Sequence, residues 1–445
     1  MPRKPSRRYT LRSLPCLKAT FKFVSSTEPS PYPVVAARIE SSGAQALYNN
    51  LHETFSDFKA KTGRPQLLLL QSATESEKYS TIDLRVTNAF PRLLRLNLAL
   101  CQLASLPVRT DLFINRGDIT DLAMSFFTNP FNNYEKIRHV AYVTRGRLFV
   151  WHDKFREDTF PSVRARNNWY SGYKFEQVCA HEWPANHAEW GPLPKSETRP
   201  TPVLSLLQLS LEKDVQAMFL AEYDVADTNK TGLSRYIELK SFQPNQKKIE
   251  QIDWQTLPND QVLKLLIDDR ACMKFFKTCL QCKLAGCESV VYGIRTLEVG
   301  LAGVRKFQVT ELESRLRQLK PGLYHGCYLK ALRNVSELVR TLYQKCEENR
   351  FYLMTKKSAK APLQVHAASD DEVLFPNPIA PELDTMLETT EKSRRIILQE
   401  YGRTFESVNK TEGKFSFIPG KAVVQSSEGA AEESVRNLLE KMQIE

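Results

Sequence analysis

Two apolar runs, 219–226 and 235–242, carry charged residues spaced two apart, and no other feature constrains the fold as much. Glu222 and Asp224 flank Tyr223, and Glu238 and Lys240 flank Leu239. On an extended strand, residues i and i+2 point to the same side, so each charged pair shares a face. Phe219, Leu220, Val225 and Ile237 are apolar, so both strands are expected to be buried on at least one side. The polar faces must then meet solvent or meet each other around a counter-ion. If the strands pair across the turn at 227–232, three carboxylates and one ammonium gather on one patch. Acids crowded in this way repel one another and hold their protons unless a cation neutralises them. A hard cation such as Mg²⁺ takes oxygen ligands of this kind, and a neighbouring lysine can steady a phosphate or a water nucleophile. That is the chemistry of metal-dependent phosphodiester cleavage. The competing reading is a solvated face of surface charges, which is what a Glu-x-Asp or Glu-x-Lys triplet usually is.

The remaining periodicity places the patch in a mixed architecture. Residues 33–39 read as a strand, 66–71 as strand or helix, and 92–104 as a helix. A helix is expected over 117–127 with Asp118 as its cap. Residues 136–143 and 147–151 alternate on either side of Thr144-Arg145-Gly146, a hairpin signal. Residues 168–180 have helical spacing, and 192–202 is a Pro- and Ser-containing loop. One long helix is expected over 258–284, then a strand pair at 288–295 and 305–309, and a helix at 329–348. The order strand, strand, helix, strand, strand, helix predicts an α+β fold with mixed β-sheets flanked by helices. A basic linker is expected at 356–362, a poorly compact tail from about 376, and an amphipathic helix at 433–442. The organisation read from the chain is a flexible basic segment at 1–30, a catalytic domain at 31–355, and a linker with a poorly compact extension at 356–445.

Composition narrows the compartment and the partner. The chain of 445 residues has 42% hydrophobic and 25% charged residues, ordinary for a globular protein. No apolar run approaches the ~20 residues of a membrane span. The basic N-terminus lacks the apolar stretch of a secretory signal, so the expected location is nuclear and/or cytoplasmic, not secreted. The nine cysteines are odd in number and irregular in spacing, as free thiols in a reducing compartment are. Cys279 and Cys282 form the one CxxC; without a second close pair they read as core thiols rather than zinc ligands. A net charge of +11 tilts the partner toward a polyanion. Lys274, Lys277 and Gln281 fall on one face of the expected long helix, either lining a phosphate path or facing solvent.

Several segments, in chain order, resemble the DXO decapping and exoribonuclease family, which includes the fungal Rai proteins. Gly172-Tyr173-Lys174-Phe175-Glu176 is similar to its G-Φ-x-Φ-E motif, Glu222-Tyr223-Asp224 to E-Φ-D, and Glu238-Leu239-Lys240 to E-Φ-K. The segment 274–281 resembles its K-Φ-Φ-K…Q helix, followed by a strand at 289–295, and 113–117 resembles the segment bearing its substrate-binding arginine. The resemblance covers residues 110–310 best; it is weak before Pro107 and absent after Lys356. It implies a PD-(D/E)xK-like nuclease core in which Glu176, Glu222, Asp224, Glu238 and the carbonyl of Leu239 hold one or two Mg²⁺ or Mn²⁺ ions. It further implies that Lys240 and Gln281 meet the scissile phosphate and that Arg116, with Glu222, holds the RNA. Tyr223 departs from the more usual aliphatic residue, and Met273 from a position that is often basic.

The implied function is a metal-dependent hydrolase of RNA 5′ ends. Its activities would be removal of incomplete or NAD-type caps, pyrophosphate release from triphosphate ends, and 5′–3′ exonuclease action. Two alternatives stay open at the level of sequence. One is a non-catalytic scaffold that holds RNA ends or docks on a 5′–3′ exoribonuclease. The other is a DNA nuclease with the same core, since selectivity for RNA lies in contacts to the 2′-OH.

Overall fold

The long apolar stretch from 203 to 226 folds as a hairpin, β7 (Val203–Glu212) and β8 (Val215–Tyr223), with Leu206 opposite Leu220. Its side chains are buried on both faces, which explains why the sequence shows a continuous apolar run rather than clean alternation. The computed structural model describes residues 110–127, 137–144, 146–152, 162–180, 203–212, 214–246, 249–358 and 360–369, with short stretches at 17–18, 31–41, 47–51, 67–69 and 76–78 and a few single positions. Among the described residues the strands form two sheets.

The first sheet has nine strands in the order β1-β2-β7-β8-β4-β6-β5-β13-β14. Besides β7 and β8 it contains β1 (Leu17–Lys18), β2 (Val34–Ser41), β4 (Leu112–Asn115), β5 (Ile137–Thr144), β6 (Arg147–His152), β13 (Phe351–Lys356) and β14 (Gln364–Ala367). The second has five strands in the order β3-β12-β11-β10-β9: β3 (Leu67–Leu68), β12 (Gly300–Gln308), β11 (Ser289–Arg295), β10 (Tyr236–Phe242) and β9 (Val225–Ala226). β10 and β11 are parallel, with Lys240 level with Tyr292, and β11 and β12 are antiparallel. The α+β class and the mixed sheets are as the sequence predicts.

The helices relevant to the site are α1 (Arg116–Met124), α2 (Val163–Ala180), α3 (Asn259–Leu266), α4 (Cys272–Ala285), α5 (Val309–Leu319), α6 (Pro321–Tyr324) and α7 (Cys327–Lys345). A large core of residues such as Ile119, Phe127, Phe276 and Leu280 packs α1 and α4 with the first sheet and one face of the second. A smaller core sits on the other face, where Phe175, Val178 and Cys179 of α2 meet Ile237, Leu239 and Val291.

Several expectations need correction. The helix expected at 258–284 is two helices, α3 and α4, broken at 267–271. Asp268 makes the break: its Oδ1 accepts the backbone N–H groups of Arg270 (3.0 Å) and Ala271 (2.7 Å), and short polar side chains compete for helix backbone in this way. Asp118 is not the cap of α1. The helix starts at Arg116, Asn115 takes the extended cap conformation (φ −98°, ψ 153°), and Asp118 lies buried in the first turn. The segment 356–362 does not lead out of the sheet as a linker. It joins β13 to β14 as a hairpin, and Lys356 is buried with its Nζ donating to the Ser125 carbonyl at 2.9 Å.

The hairpin of β5 and β6, the strand pair β11 and β12, and the helix α7 fall where expected. Cys279 and Cys282 are free thiols in the core. The loop at 192–202, the tail beyond 376 and the helix at 433–442 lie outside the described residues, as does the helix at 92–104 apart from Leu96, which is helical and buried. Among the described residues no helix is long and apolar enough to cross a membrane.

Candidate active site

The run 219–226 is not one strand pairing with 235–242. It bends at Asp224: β8 stays in the nine-stranded sheet, and only β9 pairs with β10, through Tyr236–Ala226 and Ile237–Val225. Glu222 therefore sits on β8, opposite Leu204, while Asp224 occupies the bend between the sheets. The joint is held by aromatic packing. The rings of Tyr223 and Tyr236 stack with centroids 3.9 Å apart, and the Tyr223 hydroxyl donates to the Ala285 carbonyl of α4 at 3.1 Å. This accounts for an aromatic residue at 223, where the family pattern is more often aliphatic. Met273, the other departure, is buried, and its sulfur accepts the Tyr324 hydroxyl at 3.3 Å.

Because β9 is so short, the edge of β10 beyond Ile237 is open, and Asp224 turns onto it. Its Oδ2 accepts the Leu239 N–H at 2.7 Å. In an extended strand a residue's N–H and C=O lie on the same edge, so the Leu239 carbonyl shares that edge with Asp224. Glu238 and Lys240 project from the strand on the side opposite Ile237 and Leu239. Glu238 is 2% exposed, and both of its oxygens are engaged: Oε2 with Arg116 Nη1 at 2.8 Å, and Oε1 in a short contact with Lys240 Nζ. Arg116 reaches it from the start of α1, directly after β4, which runs parallel to β8. Two strand ends of one sheet and the open edge of β10 in the other thus converge.

Burial alone would raise the Glu238 carboxyl. Arg116 and Lys240 outweigh it and hold the group down to about 2. Asp224 goes the other way: burial first, and the negative charge of Glu238 second, push it up to about 7. One acid is fully neutralised by cations and its neighbour keeps its proton near neutrality. That division has a consequence for stability. In metal-free protein between about pH 4 and 7, the folded state retains a proton on Asp224 that the unfolded chain has lost. Its contribution to stability is therefore complete at low pH and is lost as pH rises through 7. Glu238 titrates below this window. In EDTA, the melting temperature of wild type relative to Asp224→Asn is expected to fall as pH rises from 5 to 8, read by scanning fluorimetry. Parallel curves would show that Asp224 ionises normally.

Glu176 lies half-buried on α2, next to Phe175 and three residues before Cys179. The Cys179 thiol is pushed up by burial and then by the charges of Glu176 and Asp224. Phe175 fixes this part of the helix. It packs over Gly293 of β11, where an added Cβ would lie 2.6 Å from the ring. The pairing was not anticipated from the sequence. A glycine inside a strand that is otherwise Val, Ile and Tyr is the signal that could have found it.

The structure thus brings together Arg116, Asp224, Glu238, Leu239 and Lys240, with Glu176 and Glu222 on adjoining elements. It does not join Gln281 to them by contact. Gln281 is half-exposed on α4 beside Cys282, whose buried thiol feels Glu238, Lys240, Arg116 and Asp224. Nor is Lys277 open to a phosphate, since its Nζ pairs with Asp121 Oδ1 at 2.7 Å and ties α4 to α1. Lys274 is exposed over the Phe242 ring.

Among the described residues, no three Asp, Glu, His or Cys side chains stand close enough together to hold a metal ion as they are. Glu238 is turned to Arg116 and Lys240 instead. The donor set nevertheless suits a hard cation: carboxylates and a strand-edge carbonyl, all oxygen. An acid that keeps its proton near neutrality, beside another that draws two cations, is a patch short of positive charge.

Known proteins resemble the chain in sequence and in fold. A family model described as RAI1 like PD-(D/E)XK nuclease matches residues 64–379, more than half of the chain and further at both ends than the motifs alone reach. The decapping nuclease RAI1 of Lachancea thermotolerans is 25% identical over 234 residues, a match covering 49% of this chain and 55% of that protein. The chain thus spans about half the length of that curated relative. Among solved structures, Scheffersomyces stipitis Rai1 in complex with (3′-NADP)⁺ and calcium ion superposes with a TM-score of 0.55 at 16% identity, over 83% of this chain and all of that one. Candida albicans Rai1 in complex with pU5-Mn²⁺ gives 0.50 at 16% identity, over 77% and 89%. At such identity the superpositions speak for the fold, and the sequence model speaks for descent: the chain belongs to the RAI1-like PD-(D/E)XK nuclease family.

Proposed function

We propose that the protein is a metal-dependent hydrolase of RNA 5′ ends, acting on incomplete or NAD-type caps and triphosphate ends, with 5′–3′ exonuclease action on the resulting strand. The observation that carries this is the convergence of Arg116, Asp224, Glu238 and Lys240 on the open edge of β10. Two cations and two acids meet there in a setting that burial makes electrically strong. The related Candida albicans Rai1 was solved with pU5-Mn²⁺, and the Lachancea thermotolerans relative is named a decapping nuclease.

Glu176, Glu222, Asp224, Glu238 and the Leu239 carbonyl would hold one or two Mg²⁺ or Mn²⁺ ions, which would activate water and neutralise charge on the phosphate. The chain's own groups do the rest. Arg116 offers a planar fork to phosphate oxygens, and Lys240 a point charge for the negative charge that develops on them. Both are held charged by Glu238, so a phosphate draws them off an anion already in place. Gln281, on α4 beside Cys282, would orient the substrate.

The test compares wild type with Glu222→Ala/Asp224→Ala on NAD-capped, unmethyl-capped, triphosphate and monophosphate RNA in Mn²⁺. The variant is expected to fall to background on every end that wild type cleaves. Equal rates, or no cleavage by wild type, sink the proposal. The engagement of both Glu238 oxygens favours one second reading, a scaffold that holds RNA ends or docks on a 5′–3′ exoribonuclease without cutting. Calorimetric titration separates the two: Mn²⁺ binding that Asp224→Ala abolishes supports the hydrolase, and its absence in wild type supports the scaffold.

A further inference from the structure

Helix α2 carries more than Glu176 on its outward stripe. Trp169 and Tyr173 precede the acid at i−7 and i−3, so the three lie along one side of the helix. Trp169 is 41% exposed, uncommon for an indole in a folded domain. Its ring sits 6.5 Å from that of Tyr173, tilted by 37°, so the two present a stepped aromatic surface. Between Trp169 and Glu176 stands Gly172, where an added Cβ would meet nothing within 4 Å among the described residues. A glycine in mid-helix is unfavourable by roughly 1 kcal/mol relative to alanine. Here it leaves the helix without a side chain, one turn from the acid and one turn from the indole.

The charge beneath this surface is positive. Arg295, 6% exposed at the end of β11, donates to Asn168 Oδ1 (3.1 Å) and Ser171 Oγ (2.9 Å), and among the described residues it makes no ion pair. Burial, and then the nearby Arg164, bring its pKa down to about 10, so it remains a cation at neutral pH. Arg164 is itself exposed on the first turn of α2. An aromatic step over cations that pair with no described acid, on the helix that also carries Glu176, suits a strand that is anionic along its backbone and has flat faces along its bases. Single-stranded nucleic acid has both properties.

We propose that Trp169 and Tyr173 form a nucleobase-stacking subsite, which seats a base of single-stranded RNA on α2 while the strand's phosphates pass over Gly172 toward Glu176. This rests on the RNA-end reading of the acid patch and adds to it the element that grips the strand. Stacking is tolerant of base identity, so the subsite would strengthen binding without selecting a sequence.

The test is fluorescence anisotropy of the full chain in EDTA with 5′-phosphorylated hexauridylate labelled at its 3′ end. Trp169→Ala is expected to weaken binding by about 10-fold or more, the range of one lost base stack, and Trp169→Phe by much less. Trp169→Leu keeps apolar bulk without a π-face and is expected to behave like alanine, which excludes loss of folding as the cause. An abasic residue walked along the RNA should weaken wild type at one or two positions and have no further effect there in Trp169→Ala. Binding by Trp169→Ala within twofold of wild type, or abasic and alanine effects that simply add, overturns the subsite. Cleavage of the same RNA in Mn²⁺ separates the two proposals. Stacking without cleavage by wild type leaves the subsite standing and removes the hydrolase; cleavage with unchanged binding by Trp169→Ala does the reverse. No binding by wild type in EDTA overturns the subsite, and no cleavage by wild type in Mn²⁺ overturns the hydrolase.

Discussion

Glu238→Ala is expected to lower the folding stability of the metal-free protein by about 3 kcal/mol, read as a shift of the urea midpoint at unchanged slope. The carboxylate is almost wholly buried and neutralises two cations at once. Removing it leaves the Arg116 guanidinium, 13% exposed, facing Lys240 with no anion between them. Losing one partner of a buried pair typically costs about 3–5 kcal/mol. The lower end is expected because Lys240 is 32% exposed and can move its charge into water. Glu238→Gln keeps the acceptor oxygen but not the charge and should lie between. Arg116→Met/Glu238→Leu, which removes the most buried pair together, should recover part of the loss. All three variants are expected to be inactive. An unshifted midpoint for Glu238→Ala would show that the ion pairs do not form in solution.

The second large effect is expected far from any charge. Gly293→Ala places a methyl 2.6 Å and 2.7 Å from two ring carbons of Phe175 and 2.9 Å from Leu301 Cδ1. The ring is fully buried, so it can give way only by displacing α2. Overpacking of this kind costs about 1–3 kcal/mol. The catalytic consequence should be larger than the thermodynamic one, because Glu176 is the next residue on the helix. A displacement near 1 Å of a positioned group can cost about 10²-fold in rate. Gly293→Ala/Phe175→Leu makes room for the methyl and should regain stability beyond the sum of the single changes, a coupling visible in a double-mutant cycle. Additive losses would mean that the ring and the strand do not touch.

Much of the fold was legible because local pattern and tertiary role coincide. The alternation of Ile237, Glu238, Leu239 and Lys240 predicts which side chains enter the core, and Ile237 and Leu239 do so. The hairpin of β5 and β6 follows from its turn, with Gly146 at φ 66°. The departure of the chain at Asp224 was not legible. Glu222 and Asp224 alternate as they would on one continuous strand, so the spacing does not mark where one sheet is left and another joined. Asp224 reads instead as the second half of an alternating pair. The break between α3 and α4 carried a signal in Asp268-Asp269-Arg270, which the apolar periodicity on either side masked. The grouping of Lys274, Lys277 and Gln281 by helical spacing was sound geometry, but only the fold supplies Asp121, which occupies Lys277.

The bend at Asp224 sets how the site responds to change elsewhere. Glu222 rides on the nine-stranded sheet, and Glu238 and Lys240 ride on the five-stranded one. No single ladder of hydrogen bonds fixes the distance between them. That distance is the gap of a caliper whose jaws are two sheets and whose pivot is the stacked pair Tyr223 and Tyr236. Substitutions at the pivot therefore alter the reach between acids they never touch, while every acid stays in place.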